Sequence, residues 1–214
     1  MATKRPAVLA IVPARGGSKT LPGKNVRPFA SIPLLAHTVL YAQQSPCITK
    51  LVVSTDSPDI AQVARHYEAE VKMRSPMLAR DDTPIWYVLR SVLADSEWEG
   101  SMWQEKQAYD YVVLLEVTSP LRRMGELEQA LAQLGGAPDA DGIVATSEYT
   151  FNPLWNGFLL DDKGFLQYLM PQGKYASRRQ DVQQVHHHSG AFYIWRAEFI
   201  RESHDGYQLG KHLH

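Results

Sequence analysis

The sequence predicts a single α/β domain over its 214 residues, built on a mostly parallel sheet with an antiparallel extension at about 148–188. Two observations carry this. Short apolar runs alternate with helical patterns of ten or more residues through the first two-thirds of the chain, the signature of βαβ units. After Ser147 that alternation gives way to turn pairs and scattered aromatics with no helical face, which suits hairpins.

The elements follow in order. "AVLAIV" (7–12) is a continuous apolar run, as expected of a strand buried on both faces. "IPLLAHTVLYAQQ" (32–44) reads as a helix, with Leu34, Leu35, Thr38, Val39 and Ala42 near a 3.6 period. "KLVVSTD" (50–56) is a second strand. "SPDIAQVARHY" (57–67) is a helix capped by Ser57 with Pro58 in its first position. "EVKM" (70–73) is a third strand, and "TPIWYVLRSVLADSEW" (83–98) repeats the cap-plus-proline start with Thr83 and Pro84. Then come "YVVLLE" (111–116), a helix over roughly 125–134, "GIVATS" (142–147), and a return to the sheet at "AFYIW" (191–195). Ligands of open α/β sheets sit beyond the carboxyl ends of the strands. The loop at 13–25, "STD" (54–56) and "VTSPLRR" (117–123) all follow strands directly, so they are expected to meet in one crevice.

Bulk composition narrows the partners. Apolar content of 44% and charged content of 21% are ordinary for a soluble globular protein, and the length suffices for a real core. A formal charge of −1 gives no footprint for nucleic acid or an anionic membrane, so any anion site must be local. One cysteine, Cys47, excludes an intramolecular disulfide and suits a reducing compartment. No apolar run approaches a membrane span, and the N-terminal one is short for a secretory signal; the expected location is cytoplasmic.

"PARGGSKTLPGKN" (13–25) concentrates Gly16, Gly17, Gly23, Arg15, Lys19 and Lys24 after the first strand. It is not a Walker A loop, because Gly17 is one residue too far from Gly23-Lys24 and Asn25 replaces the Mg²⁺-binding hydroxyl. Nor is it the dinucleotide fingerprint, since Gly16 and Gly17 are adjacent. Glycines that let backbone N–H groups approach, a forked guanidinium and two lysines nevertheless suit a polyphosphate. A solvated basic turn is the alternative.

Together, "VPARGGSKTLPGKN", "LVVSTDSPDIAQVA", "LLEVTSPLR" and "RRQ…SGAFYI" resemble, in order and spacing, the CMP-sialic acid synthetases (acylneuraminate cytidylyltransferases), from about residue 7 to 195. The resemblance implies a nucleotide-diphospho-sugar-transferase-like, Rossmann-like fold and a homodimer formed through the extension. It also implies transfer of CMP from CTP to a nonulosonic acid, with Mg²⁺ and release of pyrophosphate. In that family's pattern Ala14, Arg15, Gly16, Gly17, Ser18, Lys19, Lys24 and Asn25 form the nucleotide loop, with Arg15 and Lys24 stabilising charge on the triphosphate. Arg74, Asp81 and Thr83 correspond to a loop near cytosine and ribose. Glu116, Thr118, Ser119, Arg122, Trp155, Arg179, Gln180, His187 and Ser189 correspond to the sugar site.

Departures from the pattern bear on the acceptor. Glu116-Val117 replaces a usual Gln-Pro, Trp155 stands near a usual lysine, His187 replaces a common arginine, and Ser189 begins the usual "NGA". A carboxylate, an indole and an imidazole in place of an amide and cations weaken binding of a sugar carboxylate, and Glu116 favours an amine-bearing substrate. The expected acceptor therefore differs from N-acetylneuraminate. The family's later "D-I-D" segment, whose aspartates hold Mg²⁺, has no counterpart here; Asp205 lacks that context, and Asp56, Asp81 and Asp82 are the fallback ligands. Two other readings stand beside this one: a nucleotidyltransferase of the same fold acting on an amino-sugar acid or a phosphonate, and a non-catalytic nucleotide-binding paralogue.

Several other residues read as structural. His186 and His188 could share a strand face, but two imidazoles without a third ligand make a weak metal site. Trp86, Trp98 and Trp103 are expected to pack, Cys47 to be an inert small side chain, and His37 to be a structural histidine.

Overall fold

The run "VLAIVP" forms β1 (Val8–Pro13), in which Val8 to Val12 are wholly buried. The computed structural model describes residues 5–17, 21–97, 108–149, 151–175, 178–203 and 210–214. After β1 come a two-residue antiparallel pair, β2 (Pro28–Phe29) and β3 (Ile32–Pro33), then α1 (Leu34–Gln44), β4 (Lys50–Thr55), α2 (Pro58–His66) and β5 (Glu70–Met73). Next are α3 (Ile85–Glu97), β6 (Tyr111–Leu114), α4 (Glu126–Gly135) and β7 (Gly142–Glu148). They are followed by α5 (Pro153–Asn156), β8 (Phe158–Leu160), β9 (Leu166–Tyr168), β10 (His186–Arg196), α6 (Ala197–Glu202) and β11 (His212–Leu213).

Two helix starts differ from the sequence reading. The first helix begins at Leu34 because Ile32 and Pro33 pair with β2, and Pro33 holds extended geometry (φ −54°, ψ 142°) at the cap. The helix expected from Thr83 begins at Ile85, and the Thr83 hydroxyl donates to the Met77 carbonyl at 2.7 Å. In α2 the reading holds: the Ser57 hydroxyl accepts from the Ile60 N–H, with Pro58 at the first position. Trp98 and Trp103 lie outside the described residues.

Seven strands form one sheet in the order β11-β7-β10-β6-β1-β4-β5. β1 pairs in parallel with β4 and β6, β4 with β5, and β11 with β7, while β10 runs antiparallel to β6. The register sets Pro13 opposite Ser54 and Ile11 opposite Leu114, so β6, β1 and β4 finish at one end of the sheet. Leu9 and Ile11 pack into a cluster with Trp86, Leu89, Val92 and Leu93 of α3 and with Trp195 of β10. Trp86 and Trp195 meet edge to face with centroids 5.5 Å apart, and the Trp195 indole N–H donates to His212 Nε2 at 3.0 Å. Val8, Ala10 and Val12 alternate to the other face and are just as buried. Cys47 is half-buried between α1 and β4; burial pushes its thiol up to about 12, with Glu128 adding to the shift, so it stays protonated. His37 Nε2 lies 2.7 Å from the Phe29 carbonyl, a structural contact.

The chain packs as two units. One comprises residues up to Val144 and from Gly190 onward; the other is Ala145–Ser189, in which the expected extension lies. In this second unit β8 and β9 form an antiparallel hairpin whose turn is held by Asp161 Oδ1, accepting from the Lys163 and Phe165 N–H groups at 2.9 Å each. Leu160, Phe165 and Leu166 on this hairpin are exposed.

Gly142 opens β7 against its neighbours. A Cβ there would lie 2.6 Å from the Ile194 carbonyl and 2.7 Å from Trp195 Cδ1, so neither backbone nor buried indole can yield cheaply. Gly142→Ala is expected to lower unfolding free energy by about 2 kcal/mol or more, measured by urea denaturation with tryptophan fluorescence as the readout.

Candidate functional site

Beyond the carboxyl ends of β6, β1 and β4 lies a cavity of about 310 Å³. Arg15, Lys24 and Asn25 reach it from the loop after β1, Arg74, Arg80, Asp81 and Thr83 from the segment after β5, and Glu116 and Thr118 from the loop after β6. Its apolar walls include Leu78, Ile85, Val88, Leu114 and Val117. Four cations and two carboxylates therefore face the same space, in a chain whose net charge is −1. Positive charge is therefore gathered locally in a chain of nearly balanced net charge.

The β1 loop is held by its own polar groups. The Ala14 N–H donates to the Ser54 carbonyl at 2.9 Å, carrying the ladder one step past β1. The buried Asn25 donates through Nδ2 to the Arg15 carbonyl at 3.0 Å. Gly23, at φ +66°, supplies the left-handed residue that turns the chain into the short 3₁₀ segment carrying Lys24. At Gly16 a Cβ would come within 3.0 Å of Ser57 Cβ, so glycine permits the loop to lie against α2. Yet the Gly16 N–H donates to Asp56 Oδ1 at 2.9 Å and is therefore already committed. Gly17 faces open space. Ser18 and Lys19, both expected in the nucleotide loop, lie outside the described residues.

The lining cations differ in their engagement. Arg15 pairs with Asp81, and both side chains are more than a third exposed. Arg80 holds Asp82 through two bonds of 3.0 and 2.8 Å. Arg74 donates to Ser54 Oγ at 3.0 Å and to the Ser54 carbonyl at 2.7 Å. Burial pushes the Arg74 guanidinium down to about 10; the Asp56 carboxylate opposes this and Arg15 adds to it. It still carries its charge at neutral pH. Among the described residues Lys24 and Arg74 form no carboxylate ion pair, and of the four lining cations Lys24 alone makes no side-chain hydrogen bond either. The sequence reading did not single out Arg80, although its place beside Asp81 in "RSPMLARDDT" was the available signal.

Arg122 stands apart from the lining. Its guanidinium donates to the Ala191 and Glu116 carbonyls and to Thr38 Oγ1 at 3.2 Å, and it lies 5.6 Å from the centre of the Tyr41 ring. Burial pushes it down to about 10, and Tyr41 and Glu116 partly oppose that shift. It ties the loop after β6 to α1 and β10. Ser119 follows Glu116 closely, its N–H donating to the Glu116 carbonyl at 3.3 Å.

The remaining expected sugar-site residues belong to the second unit. Half-buried Trp155 sits in α5, and His187 lies against the Tyr149 ring at 4.5 Å between centroids. The Ser189 hydroxyl donates to the Ala145 carbonyl at 3.1 Å. Gln180 lines a polar hollow of about 400 Å³ with Tyr149, Asn152, Val182, Gln184 and Val185, and Arg179 precedes it in the 3₁₀ segment Arg179–Asp181.

A Mg²⁺ ion needs oxygen ligands able to turn toward it. Asp56, Asp81 and Asp82 are held by Gly16, Arg15 and Arg80 respectively. Among the described residues no three His, Cys, Asp or Glu side chains group to hold a metal. A Mg²⁺ ion on a triphosphate commonly takes only one or two carboxylates, for which Asp56, Asp81 and Asp82 remain the candidates; Asp205 lies outside the described residues.

Because Arg122 is a buried cation whose removal strands two carbonyls, Arg122→Ala is expected to cost about 3 kcal/mol of stability. Urea denaturation measures this. Arg122→Lys should recover less than half of the loss, since an ammonium cannot reproduce the fork.

The geometry can be set beside known proteins. A family model described as Cytidylyltransferase matches residues 9–148. A CMP-N,N'-diacetyllegionaminic acid synthase from Legionella pneumophila is 38% identical over 151 residues, covering 69% of this chain and 61% of that protein. An N-acylneuraminate cytidylyltransferase from Streptococcus agalactiae is 34% identical over 199 residues, covering 91% of this chain and 45% of that protein. The chain thus spans between about half and three-fifths of these two relatives. A pseudaminic acid cytidylyltransferase from Campylobacter jejuni is 31% identical over 186 residues, covering 87% of this chain and 77% of that protein. In fold the chain is like CMP:2-keto-3-deoxy-manno-octonic acid synthetase solved with CTP, with a TM-score of 0.66 and 18% identity over 91% of this chain and 76% of that one. The residues matched, and the cavity they build past β1, make the chain a member of the cytidylyltransferase family.

Proposed function

We propose that this protein transfers CMP from CTP to a nonulosonic, sialic-acid-like sugar acid and releases pyrophosphate. The observation that carries the reading is Lys24, a cation in no ion pair among the described residues, in a cavity with three arginines within the stretch that the cytidylyltransferase family model matches. The acceptor's hydroxyl oxygen forms a bond to the α-phosphorus and gives up its proton to solvent, and the bond from that phosphorus to the bridging oxygen of pyrophosphate breaks. Negative charge grows on the phosphoryl oxygens and the leaving group. Lys24 and Arg15 answer that charge from fixed positions, which lowers the barrier without reorganisation. The Arg15–Asp81 pair is exposed enough that a triphosphate can replace the carboxylate at little cost. Arg74, Asp81 and Thr83 are proposed to border the base and ribose.

Mg²⁺ belongs to this proposal as a companion of the triphosphate, and the steps above rest on the chain's own cations. Dimerisation through the 145–189 unit belongs to it as well, supported by the exposed Leu160, Phe165 and Leu166. No helix among the described residues is long and apolar enough to cross a membrane, and a cytoplasmic site is part of the same reading.

The test is pyrophosphate release with CTP and Mg²⁺ against a panel of ulosonic acids that includes N-acetylneuraminate. Release with at least one acid is expected, with another acid preferred to N-acetylneuraminate; CTP binding without release from any acid would point to a non-catalytic paralogue. Lys24→Ala is expected to lower kcat by about 10²- to 10³-fold, with a thermal unfolding midpoint close to that of the wild type.

A further inference from the structure

Among the described residues Glu116 is the lining carboxylate that forms no ion pair, although the buried Arg122 guanidinium beneath it feels its charge. Asp81, the other one, is paired with Arg15. Among the described residues the Glu116 carboxylate receives only a long bond from the Thr118 hydroxyl, 3.4 Å to Oε2. The three lining arginines are engaged with Asp81, Ser54 and Asp82, and Lys24 forms no ion pair with it.

The main chain beneath Glu116 is fixed. Its carbonyl accepts from the Ser119 N–H at 3.3 Å and from the Arg122 guanidinium, while Leu115 before it donates its N–H to the Ile11 carbonyl at 3.0 Å. Val117 after it is buried. Gly190, at φ +73°, lies so close that a Cβ there would be 3.2 Å from Oε2 and 3.4 Å from Ser119 Oγ. Glycine at that position leaves the carboxylate its place. Glu116 is thus a preorganised acceptor of hydrogen bonds whose one donor among the described residues is the distant Thr118 hydroxyl.

We infer that Glu116 selects an acceptor carrying a free ammonium group and orients it, an inference that rests on the transferase reading above. Among the described residues the cavity has polarity: cations on the β1 and β5 loops, and on the β6 loop a carboxylate in no ion pair. A zwitterionic amino sugar acid fits that polarity. Its carboxylate turns from Glu116 toward the cations, and its ammonium meets Glu116. An N-acylated acceptor would instead present an amide carbonyl to a carboxylate, two acceptors face to face. An amide side chain at this position could donate to such a carbonyl; Glu116 cannot.

The test uses the full chain, CTP, and matched pairs of ulosonic acids that differ only in having a free amine or an acetamide at one carbon. Pyrophosphate release gives kcat/KM for each. The wild type is expected to favour the amine by about tenfold or more, Glu116→Gln to bring the ratio to about one or below, and Glu116→Asp to keep a preference for the amine. The KM for CTP, followed in parallel, should stay within about twofold in Glu116→Gln, which separates acceptor selection from a damaged fold. A wild-type preference for the acetamide, or a ratio unmoved by Glu116→Gln, overturns the inference and leaves the transferase reading intact. No release from any acid overturns both.

Discussion

The parallel pairing of β1 between β4 and β6 is the constraint on which the site depends. β1 lies wholly inside the sheet, and its side chains contribute to the core on both faces. Its backbone has no water to fall back on, so its hydrogen bonds must come from both neighbours. That requirement sets the register, and the register brings three loops to the same end of the sheet. The added bonds from Ala14 to Ser54 and from Leu115 to Ile11 carry the ladder up to the cavity floor.

Above that floor, two kinds of charge have separate tasks. Arg74 and Arg122 are buried, and their guanidinium groups hold main-chain carbonyls at the mouths of β4 and β6. They shape the opening, and Arg74 also contributes its charge there. Arg15 and Lys24 are more available, one paired with an exposed carboxylate and the other with none among the described residues. A nucleotide's phosphates can compete for such groups, whereas displacing Arg122 would leave polar groups unsatisfied in the interior. Glu116 has its main chain in the first system and its carboxylate in the second, so it is held rigidly yet left open to a partner.

The loop after β1 also shows how a motif and its geometry can part. Two adjacent glycines after a strand suggest a cradle of free amides. In the structure Gly16 serves a different need, letting the loop rest on α2 while its N–H is taken by Asp56. The positive character of the cavity comes mainly from side chains brought in by two separate loops, after β1 and after β5. Arg80 belongs to that set, and its place beside Asp81 is the one local signal for it.

The sequence by itself determined the alternation of strands and helices, the fully buried first strand, the Ser57 cap and the family to which the motifs belong. Each of these is written in local periodicity, in capping chemistry or in contiguous residues at fixed spacing. Tertiary structure alone decided where the first and third helices begin, because strand pairing took Ile32 and Pro33 and the Met77 carbonyl took Thr83. It alone decided that Arg122 ties the β6 loop to α1 and β10, that Lys24 forms no ion pair among the described residues, and that Glu116 faces a glycine. Those outcomes depend on which groups from distant segments arrive within hydrogen-bond reach, and spacing along the chain does not encode that.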